Sequence, residues 1–199
     1  MKRALKNAQE PVAVGSRRRR SGNRWWTRGR VVGVAIVVAL IALVAYASLR
    51  APAPPTGEAP DFTFTDLAGL AHSLSSYRGH PVVLWWITTF CGSCAQGTQS
   101  FAQNYYASYH GAGVQFLELE SYNDLGQSGP TIAAFASQNG YADQSGWVMG
   151  EGSAQGTSTY NPNSELDLYT VIDSHGVIIS SGQDLPGSFS AVLSEAQGT

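Results

Sequence analysis

Apolar residues in the second half of the chain fall into short runs that alternate with helical patterns. One continuous apolar run covers residues 82–87 (VVLWWI), as expected for a central strand that is buried on both faces. Further strands are predicted at 114–119, 147–149, 168–172 and 177–180, and helices at 91–109, 131–138 and 189–196. Without the short strand at 147–149, the order is β-α-β-α-β-β-α, which predicts an α/β sandwich.

The longest apolar stretch lies near the N-terminus. Residues 31–49 contain no charged side chain, and a helix of this length spans about 28 Å, close to the hydrocarbon thickness of a bilayer. Arginines at 17–20 and the aromatic pair at 25–26 precede it, where cytoplasmic charges and interfacial side chains flank a membrane span. We therefore expect a basic cytoplasmic tail at 1–30, a transmembrane helix at 31–49 and export of the remainder.

The charges are distributed unevenly along the chain. Eleven of the 12 Lys and Arg residues lie in 1–50, whereas all but one of the 14 acidic residues lie in 51–199. A cleaved signal peptide is an alternative, because Ala45-Tyr46-Ala47 resembles a cleavage site, but the apolar stretch is longer than a usual signal core. Membrane topology also explains the arginines without a nucleic-acid partner. We expect a single-pass protein of the cell membrane with the bilayer as a partner.

A spacer is predicted between the membrane segment and the domain. Residues 50–60 hold four prolines, which favour an extended and semi-rigid chain. Residues 61–199 then form one extracytoplasmic domain, long enough to bury a core.

The only two cysteines of the chain, Cys91 and Cys94, lie where the buried strand turns into a helix. A thiol in the first helical turn faces unpaired amide N–H groups and the positive end of the helix dipole, which favour the reactive thiolate. The second thiol lies one turn along, so it can resolve a mixed disulfide formed by Cys91. This predicts a redox-active disulfide that needs no cofactor. Trp86 and Phe90, near this turn, are candidate modulators.

Two non-catalytic interpretations of the cysteines are alternatives. An inert structural disulfide usually closes a longer loop, since the stabilisation grows with loop size. Half of a zinc site would need further ligands, and the four histidines show no ligand spacing. No metal site is therefore expected.

Residues 80–94, from His80-Pro81 through the cysteine pair, resemble the cysteine-containing stretch of TlpA/ResA-type thioredoxin-like proteins. The lead-in at 66–79 and the segment 171–178 (VIDSHGVI) are also similar to that family. The resemblance implies a thioredoxin-like α/β/α sandwich with a central mixed sheet and disulfide exchange with exported proteins, often apocytochrome c. It also implies a membrane thiol reductant or oxidant as a second partner.

The chain departs from the family pattern at two positions. Asp167 stands where the family carries a cis-proline that faces the cysteines and helps to hold the partner's backbone. The alternative is a gap in the alignment, which would place Pro162 there. The Asp167 carboxylate would either lie near the cysteine pair and disfavour the Cys91 thiolate or point to solvent. Trp85 stands where thioredoxins have a buried Asp. An acid for the second thiol would come from Glu118, Glu120 or Asp167, although Glu118 and Glu120 are expected to be surface charges.

Other functions use related patterns. Thr88 stands three residues before Cys91, as in peroxiredoxins, but only Arg78 is available in 51–199 as the arginine that activates peroxide. Copper-delivery proteins of the SCO type need three residues between the cysteines and a histidine in the region 163–168, and both are missing. A non-catalytic binding module with the thioredoxin fold stays open because the proline is missing.

Overall fold

The computed structural model describes residues 32–34, 36–41 and 55–198. Residues 32–34 and 36–41 are helical, and residues 55–198 belong to a separate compact unit. Within these described ranges, no helix is long and apolar enough to cross a membrane. The predicted tail at 1–30, most of the predicted span at 31–49 and the first part of the predicted spacer lie outside them.

Eight strands form one mixed sheet in the described domain. The strands are β1 (Gly57–Glu58), β2 (Thr63–Asp66), β3 (Ala71–Ser73), β4 (Val82–Ile87), β5 (Gln115–Glu120), β6 (Trp147–Gly152), β7 (Asp167–Ile172) and β8 (Val177–Gln183). Their order is β1-β8-β7-β4-β5-β6-β2-β3. Strands β4, β5 and β6 run parallel, and the other pairs are antiparallel. The carboxyl ends of the three parallel strands therefore meet at one edge.

Five helices accompany the sheet: α1 (Gly92–Ser100), α2 (Tyr106–Gly111), α3 (Ile132–Gln138), α4 (Ala154–Tyr160) and α5 (Leu185–Gln197). A π-helical turn over Phe101–Tyr105 joins α1 to α2, so the predicted helix 91–109 is one interrupted helical segment. Side-chain caps begin several of the helices; Thr131 accepts a hydrogen bond from the Ala134 amide at the start of α3.

Two cores lie on opposite faces of the sheet, because side chains alternate along the central strand β4. Trp85 and Ile87 belong to the core that contains Cys91 and Cys94, and α1, α3 and α5 cover this face. Trp86 belongs to the second core. All six residues of β4 are buried, as the continuous apolar run predicted.

Most of the predicted pattern is confirmed, with three differences. The sheet extends through an N-terminal hairpin, β2–β3, and through β1, which pairs with β8. The last residues of the predicted spacer therefore belong to the domain. Helix α4 was not predicted, because its sequence AQGTSTY is polar and holds few strong helix formers. The final helix begins four residues before the predicted Phe189, since Asp184 caps it and Pro186 lies in its first turn.

Candidate functional site

Cys91 and Cys94 are joined by a disulfide at the carboxyl end of β4. Their Cα atoms lie 5.2 Å apart, and Cys91 is the N-cap of α1. Cys94 is completely buried, whereas 6% of Cys91 is exposed. A partner thiol that approaches from solvent therefore meets Cys91 first.

The surroundings of the two sulfur atoms differ. Cys91 Sγ accepts a hydrogen bond from the Cys94 amide at 3.1 Å and lies 3.2 Å from Ser93 Oγ. These donors, together with the helix N-terminus, would stabilise a thiolate on Cys91 after reduction. Cys94 Sγ instead lies 3.4 Å from the carbonyl oxygen of Leu166, an acceptor that would favour the protonated thiol. The two cysteines are therefore chemically unequal.

The turn before Cys91 is held by Asp124, a residue that the sequence analysis did not single out. The Thr89 amide donates to the Asp124 carboxylate at 2.7 Å, and the Thr89 hydroxyl donates to its other oxygen. Asp124 is buried in a left-handed turn, in which three successive residues have φ between 47° and 55°. A Cβ at Gly129 would lie 2.5 Å from Asp124 Oδ2, so only glycine fits there. The position of Asp124 just after β5, the parallel neighbour of β4, was the available signal.

Glu118 lies in the core beside α1, and the prediction that it is a surface charge is wrong. It is completely buried on β5, on the same face as the cysteines. One carboxyl oxygen accepts a hydrogen bond from Trp147 Nε1 at 3.2 Å, and the other contacts the Thr98 hydroxyl. Burial raises the pKa of Glu118 to about 8, partly offset by these hydrogen bonds.

The two contacts of the Thr98 hydroxyl indicate that Glu118 carries a proton. The Thr98 hydroxyl contacts the Glu118 carboxyl and also the carbonyl oxygen of Cys94, at 3.0 Å. A hydroxyl has one hydrogen to donate, so both contacts are hydrogen bonds only if the carboxyl supplies the second hydrogen. A neutral Glu118 is thus connected through Thr98 to the first turn of α1.

The prediction that Glu120 is a surface charge is met only in part, since this side chain is half-buried at the end of β5. Burial, with the nearby carboxylates of Asp124 and Glu151, raises the pKa of Glu120 to about 7. Glu151 stands beside it in the register between β5 and β6.

Asp167 opens β7, and its side chain does not simply point to solvent. Its half-buried carboxylate accepts a hydrogen bond from Trp85 Nε1 at 2.6 Å, and Trp85 belongs to the core that contains the cysteines. Burial raises the pKa of Asp167. The residue before it, Leu166, supplies the contact with Cys94. No cis peptide bond occurs in the described part of the chain.

The two aromatic candidates have different positions. Trp86 lies on the face of the sheet opposite the cysteines, where it packs against Phe62 and Tyr160. Its prediction as a modulator is wrong, because the alternation along β4 directs it away from the site. Phe90 precedes Cys91 and is 37% exposed, so it lies on the surface beside the disulfide.

Comparison with known proteins gives two sequence similarities. Residues 55–146 match the AhpC/TSA family. The thiol-disulfide oxidoreductase ResA of Geobacillus kaustophilus is 29% identical over 116 residues, which cover 55% of this chain and 64% of the relative. The chain therefore spans slightly less than two thirds of that curated relative.

Solved structures share the fold. A putative thiol:disulfide interchange protein DsbE from Chlorobium tepidum superposes with a TM-score of 0.58 at 19% identity, over 73% of this chain and 100% of that one. A secreted Mycobacterium tuberculosis disulfide oxidoreductase homologous to E. coli DsbE gives a TM-score of 0.53 at 19% identity, over 67% and 95% of the two chains.

Proposed function

We propose that this chain, a thioredoxin-superfamily protein of the ResA type, is a thiol-disulfide oxidoreductase whose Cys91–Cys94 pair alternates between disulfide and dithiol. The observation that carries the proposal is the placement of the disulfide. It opens a helix after a buried central strand, with a hydrogen-bond donor on Cys91 Sγ and an acceptor beside Cys94 Sγ.

The different surroundings of the two sulfur atoms indicate which cysteine acts in each step of the exchange. In the reduced protein, the Cys91 thiolate attacks one sulfur of a partner disulfide and forms a mixed disulfide, while the other partner sulfur leaves as a thiolate. Cys94 then loses its proton and attacks Cys91 Sγ, which releases the second partner thiolate. The protein loses two electrons, and the partner gains them with two protons. The reverse sequence oxidises a partner dithiol through the same geometry.

The proposed location is the outer side of the cell membrane. The arginine-rich tail at 1–30 and the uncharged stretch at 31–49 support a single-pass anchor with a cytoplasmic N-terminus. In this arrangement the partners are exported proteins with thiols or disulfides, including apocytochrome c, and a membrane thiol reductant or oxidant.

Exchange with a defined disulfide tests the activity. The reduced protein should reduce insulin disulfides in the presence of a dithiol faster than the dithiol alone, since its thiolate is stabilised at the helix N-terminus. Precipitation of the insulin B chain follows the rate, and a double Cys91→Ser, Cys94→Ser variant is the control. If the wild-type rate equals that of the control, the protein is a non-catalytic binding module.

The proposed membrane orientation predicts which part of the chain an external protease can remove. Protease added to intact protoplasts should remove residues 51–199 and leave a small membrane fragment, detected with a tag at the N-terminus. A second sample, in which detergent opens the membrane, should also lose the tag. Full protection of the domain in intact protoplasts would contradict the proposed orientation.

A thiol peroxidase is the second candidate, favoured by the match of residues 55–146 to the AhpC/TSA family. The Thr88 hydroxyl is buried and has no hydrogen-bond partner in the described structure, and the Thr88 carbonyl accepts a hydrogen bond from the Cys91 amide at 3.1 Å. However, Arg78, the one Lys or Arg residue in 51–199, pairs with Glu58 at 2.5 Å. The two activities are distinguished by the oxidant that the reduced protein prefers. Rapid consumption of hydrogen peroxide together with slow reduction of insulin would favour the peroxidase.

A further inference from the structure

The buried side chain of Asn161 closes the loop that leads to the cysteine pair. Asn161 follows α4 and is 2% exposed. Its amide nitrogen donates to the Glu165 carbonyl at 2.7 Å, and its amide oxygen accepts from the Glu165 amide at 2.8 Å. The side chain thus pairs with both backbone groups of one residue, as a neighbouring strand would.

Further contacts of Asn161 fix the start of this loop. The side-chain nitrogen of Asn161 lies 3.4 Å from Ser121 Oγ, just beyond the end of β5. The backbone N–H of Asn161 donates to the Thr157 carbonyl of α4. Ser164, inside the loop, adopts a left-handed φ of 57°. An L-residue rarely adopts this conformation without support, and the paired amide across the loop provides it.

The residue after the closed loop contacts the redox pair. Leu166 directly follows Glu165, and its carbonyl oxygen lies 3.4 Å from Cys94 Sγ. Rotation or displacement of the peptide that joins the two residues would change this contact. The Asn161 side chain therefore bonds to Glu165, the residue directly before the carbonyl that faces Cys94 Sγ.

We propose that Asn161 is a positioning residue, which favours the reduced state of the Cys91–Cys94 pair by holding the Leu166 carbonyl against Cys94. The proposal rests on the proposed redox function. In the dithiol, Cys94 has an S–H group that donates to this carbonyl. In the disulfide, the same sulfur has no hydrogen, so the carbonyl stabilises only the reduced state.

The equilibrium with glutathione measures this preference. Two glutathione thiols reduce the protein disulfide: the protein S–S bond breaks and one S–S bond forms between the glutathiones. One thiol proton passes to Cys94, and the other passes to solvent while Cys91 remains a thiolate. Asn161→Ala should lower the equilibrium constant for reduction by about two- to fivefold, the effect of losing one weak hydrogen bond. The ratio of dithiol to disulfide is determined by alkylation after acid quenching, across a series of glutathione ratios.

Asn139→Ala is the matched control. Asn139 is also a buried asparagine at the end of a helix. Its Nδ2 donates to the Phe135 carbonyl at 2.8 Å, and its Oδ1 accepts from Gln99 Nε2 at 2.9 Å. This variant should lose thermal stability but keep the wild-type glutathione equilibrium. An equal shift in both asparagine variants would mean that general loosening, rather than the Leu166 contact, changes the equilibrium, and would overturn the proposal.

A second variant covers the case in which Asn161→Ala does not fold. Asn161→Asp keeps the acceptor for the Glu165 amide but loses the donor to its carbonyl, so it should also disfavour the dithiol. Folded Asn161 variants with the wild-type equilibrium constant and a lower Tm would overturn the proposal and leave Asn161 a structural cap. If the wild-type protein itself does not equilibrate with glutathione, the redox function fails, which is a separate result.

Discussion

At pH 8 the Glu118→Gln variant is expected to be more stable than the wild-type protein, by about 4 kcal/mol. Folding raises the pKa of Glu118 from 4.5 to about 8 because the carboxyl is completely buried. Between these values the unfolded chain loses the proton while the folded protein keeps it, so the free energy of unfolding falls as pH rises, by about 1.4 kcal/mol per pH unit. Glutamine keeps a donor for Thr98 and an acceptor for Trp147, and it does not ionise.

Urea unfolding at pH 5, 6, 7 and 8 measures this effect. The two proteins should have similar stability at pH 5 and separate progressively towards pH 8. Glu120 and Asp167, whose pKa values are also raised by folding, add to the fall in both proteins. The exposed Glu195→Gln variant is the control and should follow the wild-type curve. Parallel curves for wild type and Glu118→Gln would show that Glu118 is ionised in the folded protein.

Replacement of Cys91 by serine is expected to abolish disulfide exchange completely, whereas Cys94→Ser should accumulate mixed disulfides. Cys91 is the more exposed of the two cysteines, and its sulfur accepts a hydrogen bond from the Cys94 amide, so its loss removes the nucleophile. Cys94 is buried, and its role is resolution. Without Cys94, no second thiol of the protein can attack the mixed disulfide between Cys91 and a partner, so this complex accumulates.

Non-reducing gels of lysates from cells that express each variant provide the measurement. Complexes that disappear on reduction should be abundant with Cys94→Ser and rare with Cys91→Ser, and absent from the double variant as the control. Iodoacetamide should modify Cys91 of the reduced wild-type protein first. More complexes with Cys91→Ser than with Cys94→Ser would reverse the assignment of the two cysteines.

Local patterns in the sequence predicted the central part of the fold. The apolar run of β4, the alternation in β5 and the turn between β7 and β8 all depend on neighbouring residues. The prediction that Cys91 and Cys94 lie at a strand-to-helix junction depended on the same local information. The mixed sheet came from the family resemblance, and the structure confirms it.

Contacts between distant segments determine the features that were missed. Glu118 is surrounded by Thr98 and Trp147, which lie 20 and 29 residues away in the sequence. The alternation of β5 places Glu118 on the same face as the buried Phe116, but it does not show whether a charge there meets solvent or a core. Asp167 reaches Trp85 only because β7 pairs with β4, a connection across 82 residues.

The edges of the sheet limit association between copies of the domain. The strands that end the sheet, β1 and β3, have only two and three residues, so each offers few unpaired backbone groups to another chain. Beyond Ile178, no described strand covers the outer side of β8, but its remaining residues, 179–183, read ISSGQ. Serine, glycine and glutamine form a poor template for strand addition, and Ser180 is already bonded to Glu195 of α5. Copies of the domain at high local concentration would therefore resist edge-to-edge aggregation.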